Sequence, residues 1–156
     1  MVIGAGGFIG SYIVPLLAKK HEVITIYKNS IDILDNFKLP KVNFVVGDIF
    51  DDNLIENLPV FDLVCSDIAP NLSGNKFIDQ AKIMDLCERS MFVAMKKLKS
   101  KGIFITKIFE GQGFSDFLKL VKKNFKYMDI CKPKSSRKES HEVYIIAMTK
   151  RPLKSI

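Results

Sequence analysis

Residues 61–74 read Phe61-Asp62-Leu63-Val64-Cys65-Ser66-Asp67-Ile68-Ala69-Pro70-Asn71-Leu72-Ser73-Gly74. A short, largely apolar run over 61–65 has the length and bulk of a buried strand. An acid follows it, and then a loop of Pro, Asn, Ser and Gly. In an open α/β sheet, the carboxyl end of a strand is where chemistry is presented. Two more charges stand at strand ends: Lys107 closes the apolar run 103–107, and Glu142 opens the run 142–147. Three strand ends, each bearing a charge, predict one convergent polar site.

Outward from that stretch, strand and helix alternate along the chain. This predicts a single α/β domain over 1–156, a Rossmann-like doubly wound fold with a mostly parallel sheet covered on both faces. Strands are expected at 1–3, 23–27, 42–46, 61–65, 103–106, 127–131 and 143–148. Helices are expected at 8–19, where Pro15 introduces a kink, at 31–37 and 52–58, at 79–98 and at 114–124. The helix over 79–98 carries an apolar stripe of Ile83, Leu86, Cys87, Phe92, Met95 and Leu98. Residues 132–141 form a polar loop. No repeat, low-complexity tract or interdomain linker interrupts the pattern.

Three segments from about residue 42 to 150, SDIAPNLSG (66–74), ITKIFEGQGF (105–114) and KPKSSRKESHEVYIIA (132–147), resemble the FtsJ (RrmJ) ribosomal-RNA ribose 2′-O-methyltransferases in order and spacing. The resemblance implies a methyltransferase sheet whose last two strands make an antiparallel C-terminal edge. It also implies S-adenosylmethionine as cofactor and RNA, above all ribosomal RNA, as substrate. Of the family's Lys-Asp-Lys-Glu tetrad, the last three members map onto Asp67, Lys107 and Glu142. Lys107 would then serve as base or alkoxide stabiliser, Asp67 would sit between cofactor and substrate, and Glu142 would orient the lysine and bind the ribose. The first lysine lies upstream of the glycine loop in the family, where this sequence starts, and reduced activity is the resulting expectation. Asn71, Ser73 and Ser136, with the basic loop Lys132, Lys134, Arg137 and Lys138, are candidate RNA contacts. Each site residue also has a plainer reading: an Asx-turn for Asp67, a snorkelling lysine for Lys107, an edge-strand charge for Glu142.

The glycine turn points elsewhere. Gly4, Gly6, Gly7 and Gly10 lie on a strand-to-helix turn, where bare backbone and helix N–H groups suit a nucleotide ligand. Compared with the FtsJ pattern the loop is two residues short, and Val2 stands where an acid belongs. Residues 2–26 look instead like the extended short-chain dehydrogenases and epimerases, which implies NAD or NADP as the alternative ligand. Lys28 after the second strand favours NADP, through its 2′-phosphate. Natural divergence or an engineered chimera accounts for the change of likeness. The dehydrogenases' Tyr-x-x-x-Lys pair is missing, because Leu16, Ile31, Cys131 and Met148 stand four residues after the four tyrosines. Asp48, after the third strand, suits the adenine amino group under either reading, or else caps the following helix.

Charge is divided along the chain. Residues 1–95 hold 8 basic and 12 acidic residues, a net of −4, whereas residues 96–156 hold 16 and 5, a net of +11. So basic a half suits a polyanion such as RNA, although lysine-rich solvated faces give the same count. Three widely spaced cysteines, Cys65, Cys87 and Cys131, point to neither disulfides nor zinc, and to a reducing, cytoplasmic compartment. No apolar run reaches 18 residues, so no membrane span is expected. A monomer with no metal completes the reading.

Overall fold

The computed structural model describes residues 1–28, 39–133 and 140–152, with Phe8 and Ile9 described for their backbone only. The helix expected at 31–37 lies outside the described residues. Seven strands form one sheet: β1 (Val2–Ile3), β2 (Val23–Tyr27), β3 (Val42–Val46), β4 (Phe61–Ser66), β5 (Leu98–Phe109), β6 (Phe125–Cys131) and β7 (Glu142–Lys150). The helices are α1 (Phe8–Ala18), α2 (Asp52–Asn57), α3 (Lys76–Lys97) and α4 (Phe114–Asn124). Strand order is β3-β2-β1-β4-β5-β7-β6. The first five run parallel, and β7 enters antiparallel between β5 and β6. The order reverses direction at β1 and β4, so their carboxyl ends open a crevice there.

Alternation along β5 explains the two faces. Phe104, Thr106 and Ile108 are buried on one side, while Ile105, Lys107 and Phe109 share the other. The buried side meets α3 and α4 in the main core, which joins Phe104, Ile108, Val143, Ile145 and Ala147 to Met84, Cys87, Met91, Phe117 and Val121. The Phe104 and Phe125 rings stack there with centroids 6.0 Å apart. Fully burying a side chain of this size contributes about 1.5–3 kcal/mol. On the opposite face, α1 covers a smaller cluster of Val2, Ala5, Val14, Val23 and Tyr27. The helix continues through Pro15 without ending.

Local chemistry sets the helix ends. Asn75 accepts from the Phe77 and Ile78 N–H groups and starts α3 at Lys76, three residues before the expected start at 79. Asp79 in its first turn and Lys96 and Lys97 in its last complement the helix dipole. Asp51 likewise caps α2, through the Asn53 and Leu54 N–H groups. One member of the expected stripe is displaced: Phe92 is 39% exposed and carries the Arg89 guanidinium over its ring.

Candidate active site

Parallel pairing of β4 with β5 sets Ser66 opposite Thr106, and antiparallel pairing of β5 with β7 sets Lys107 opposite Tyr144. The Asp67 N–H still bonds to the Ile3 carbonyl, at 3.0 Å. Asp67, Lys107 and Tyr144 therefore form a row across three neighbouring strands. Lys107 Nζ lies 2.9 Å from Asp67 Oδ1, and it also donates to the Asp67 carbonyl at 3.2 Å. Tyr144 donates its hydroxyl to the same Oδ1 at 3.0 Å. The two charged side chains are only 7% and 10% exposed. A charge pair this dry depends on its partners, since each ion alone would be costly to bury.

Glu142 pairs with Phe109 and lies two residues before Tyr144 on the same face, so it borders the row from the strand-end side. Tyr144 was not anticipated as a site residue. Its spacing from Glu142 and its register with Lys107 are the signals that reveal it. Burial first, and the Asp67 charge second, push its phenol above the usual value of 10. Behind the row, the Cys87 thiol donates to the Lys107 carbonyl at 3.3 Å, and the buried Ser66 and Ser90 hydroxyls bond at 2.9 Å. These contacts tie the strand ends to α3.

The glycine turn meets this row directly. Gly4 has φ +78°, and a Cβ there would lie 3.0 Å from the Ile68 nitrogen and 3.1 Å from the Asp67 carbonyl carbon. Only glycine lets β1 and β4 end so close together. The Gly7 N–H closes the turn on the Gly4 carbonyl at 3.1 Å, and Gly7 caps α1. The other Asp67 oxygen, Oδ2, lies 3.9 Å from where a Gly7 side chain would begin. One carboxylate thus faces both the lysine and the turn. Gly10 plays a different part from the one expected: α1 packs it against Ala5, away from the cleft lining.

A cleft of about 280 Å³ opens beside the turn, lined by Gly4, Gly6, Gly7, Tyr27, Lys28 and Asp48, with Ile49, Phe50 and Leu86 among its walls. Asp48 Oδ1 accepts the Phe50 N–H at 3.0 Å, and Oδ2 pairs with Lys28 Nζ at 2.9 Å. That N–H first, and Lys28 second, hold Asp48 below the usual carboxylate range. The helix cap is Asp51, which leaves Asp48 to the cleft. Lys28, read as a partner for a 2′-phosphate, is thus engaged with Asp48. A second cleft of about 340 Å³ lies among His21, Asn43, Pro59 and Asp62 and includes none of the row. Open α/β sheets use their carboxyl ends, so the smaller cleft is the relevant one.

The loop after β4 is braced from within. Ser73 gives both its N–H and its hydroxyl to Asp79 Oδ1, each at 2.7 Å, and the Gly74 N–H reaches Oδ2 at 3.0 Å. Ser73, a candidate RNA contact, is therefore spent on closing the loop, while Asn71 and Lys132 are exposed. Lys134, Ser136, Arg137 and Lys138 lie outside the described residues. Among the described residues, no group of His, Cys, Asp and Glu has a metal-binding arrangement, and no helix is long and apolar enough to cross a membrane.

A carboxylate–lysine pair at the switch point, facing a glycine turn, is matched by relatedness. The family described as FtsJ-like methyltransferase matches residues 2–150. The chain belongs to that family. Ribosomal RNA large subunit methyltransferase E of Francisella tularensis subsp. novicida is 42% identical over 124 residues, covering 76% of this chain and 60% of the relative. The protein of the same description from Desulfatibacillum aliphaticivorans is 41% identical over 121 residues, covering 76% and 58%. The FtsJ-like chain thus spans about 60% of the length of these curated relatives. A protein described as a ribosomal RNA methyltransferase from Plasmodium falciparum superposes with a TM-score of 0.75 at 25% identity, over 96% of this chain and 84% of that one. Human methyltransferase-like protein 13, solved in complex with SAH, shares the fold at a TM-score of 0.64 and 15% identity, over 99% and 72%.

The FtsJ-like match begins at residue 2 and runs through the glycine turn. The likeness of residues 2–26 to dehydrogenases and epimerases therefore marks a shared strand–turn–helix. It finds no support as a second family, an NAD-binding loop or the junction of a chimera.

The buried thiols and the half-buried phenol of this FtsJ-like chain make its stability sensitive to alkali. Burial pushes Cys65 up from 9.0 to about 11 and Cys87 from 9.0 to about 12, and Tyr144 rises above 10. All three hold their protons more tightly folded than unfolded. The stability they contribute is complete below the unfolded values and lost as pH climbs through the folded ones. Urea midpoints measured in reductant are expected to fall steadily from pH 9 upward. Cys87→Ala and Tyr144→Phe should each flatten that decline, and an unchanged slope in both would show that these groups do not set it.

Proposed function

We propose that the chain is an S-adenosylmethionine-dependent ribosomal-RNA ribose 2′-O-methyltransferase of the FtsJ type. The observation that carries this reading is the dry Asp67–Lys107 pair, 2.9 Å apart, with Asp67 Oδ2 beside the glycine turn that lines the cleft. The residues suit the cofactor. Bare backbone at Gly4 and Gly7 allows close approach, Asp48 offers an acceptor for an adenine amino group, and Asp67 Oδ2 offers negative charge beside the turn. When bound, S-adenosylmethionine supplies a methyl group made electrophilic by its sulfonium.

This chain's side chains do the rest. Asp67 orients Lys107 with Oδ1, and its Oδ2 beside the glycine turn would complement the cofactor's positive charge. Tyr144 fixes the Asp67 carboxylate, so the lysine is held in one geometry. Lys107 meets the ribose 2′-hydroxyl and either takes its proton as the neutral amine or, as the ammonium, stabilises the oxygen as it becomes an alkoxide, a contribution of roughly 10²–10⁴ in rate for a positioned group. Glu142 receives the ribose beside it. The basic half of the chain, including Lys132, Lys134, Arg137 and Lys138, supplies phosphate contacts, with Asn71 at the loop after β4. A reducing cytoplasm suits the free Cys65, Cys87 and Cys131.

Calorimetric titration with S-adenosylhomocysteine, with NADP as the parallel ligand, tests the cofactor. Saturable binding of the first alone is expected, followed by transfer of labelled methyl from S-adenosylmethionine to large-subunit ribosomal RNA. Binding of NADP alone overturns the reading.

A further inference from the structure

Arg89 lies midway along α3 with its side chain 13% exposed. It has no contact with the Asp67 row, yet it is among the most heavily engaged side chains described. Its Nε donates to the Ile49 carbonyl, and its Nη2 donates to Asp52 Oδ1 at 2.8 Å. The guanidinium carbon stands 5.4 Å from the Phe50 ring centre and 4.5 Å from that of Phe92. Asp48, Ile49 and Phe50 together form one wall of the cleft beside the glycine turn.

The peptide bond between Ile49 and Phe50 is a rigid plane, with its carbonyl and its N–H pointing in opposite directions. Arg89 holds the carbonyl. The N–H on the same plane is the one that reaches Asp48 Oδ1 at 3.0 Å. Fixing one end of the plane fixes the other. The second contact on Asp48, from Lys28, comes from a side chain that is 72% exposed and readily screened. The Ile49–Phe50 peptide is therefore the firmer hold on the carboxylate.

We propose that Arg89 is a positioning residue for cofactor binding, acting through the Ile49–Phe50 peptide to set the direction of the Asp48 carboxylate at the adenosine end of the cleft. The inference rests on the cofactor reading above. Arginine suits the task because its planar fork donates along two directions while its face covers aromatic rings. Lysine can reach the Ile49 carbonyl or Asp52 but cannot meet both and also lie flat on Phe50.

The test titrates the protein, Arg89→Gln and Arg89→Lys with S-adenosylhomocysteine and with adenosine. Arg89→Gln should bind both about tenfold more weakly, the scale of one hydrogen bond from a charged donor, and Arg89→Lys should recover part of the loss. The KM for S-adenosylmethionine should rise while kcat and the affinity for RNA stay unchanged, a split that general destabilisation does not produce. Asp48→Asn should cost less in the Arg89→Gln background than alone, because both act on one carboxylate. Unchanged affinity in Arg89→Lys and Arg89→Gln overturns the proposal, and so does strict additivity with Asp48→Asn. If Arg89→Gln fails to fold, Arg89→Lys and its cycle with Asp48→Asn decide alone. An unaltered protein that binds neither ligand would instead sink the cofactor reading, a distinguishable result.

Discussion

Under the proposed function, Lys107→Met should lower the rate of methyl transfer to ribosomal RNA by roughly 10²–10⁴, the contribution of a positioned acid–base group, while S-adenosylhomocysteine still binds. The physical reason is that Lys107 Nζ is the described cation against Asp67 Oδ1, at 2.9 Å and largely shielded from water. Among the described residues, the same substitution leaves the Tyr144 hydroxyl to answer the charge of the buried Asp67. Removing one member of a buried pair costs about 3–5 kcal/mol, so the melting temperature should fall as well. A second variant separates the two effects. Asp67→Asn combined with Lys107→Met removes both charges and keeps the shape, and it should regain much of the lost stability without regaining activity. A Lys107→Met protein that methylates within tenfold of the unaltered chain, once corrected for folded fraction, would take Lys107 out of the chemistry.

Some of this site was legible in the sequence because charge interrupted an apolar run. Asp67, Lys107 and Glu142 each stand where a buried strand meets a loop, and such residues are conspicuous in a pattern of alternating strand and helix. Tyr144 was hidden because tyrosine is an ordinary strand residue, and only register with Lys107 gives it a role. The start of β5 was hidden as well. Lys99, Ser100 and Lys101 are exposed and polar, yet they continue the strand back to Leu98, which pairs with Phe61 across a register shift. Ser73 looked available for RNA because its partner, Asp79, belongs to the first turn of the next helix. The Lys28–Asp48 pair needed the adjacency of β2 and β3, whose register sets Tyr27 opposite Val46. Short-range pattern thus located the strand-end charges. Contacts made between elements required the strand order, and β7 entering between β5 and β6 is a tertiary outcome that no local pattern encodes.

Gly10→Ala should be the most damaging small substitution away from the Asp67 row. A Cβ at position 10 would stand 2.4 Å from the Ala5 Cα and 2.4 Å from its carbonyl oxygen, far inside any tolerated contact. Both obstructing atoms are backbone, so no rotamer change relieves the overlap. Either α1 moves off the turn or the turn opens. Overpacking of this kind costs up to about 3 kcal/mol and sometimes more, which for a domain of this size lowers the melting temperature by roughly 6–12 °C. Because Ala5 and Gly7 flank the turn that meets Asp67, S-adenosylhomocysteine affinity should fall together with stability. Ala5→Gly supplies the control. It removes a methyl that is not among the obstructing atoms, so it should fail to rescue Gly10→Ala. Full rescue by Ala5→Gly, or a Gly10→Ala protein that melts and binds like the unaltered chain, would mean that α1 does not press on the glycine turn as described.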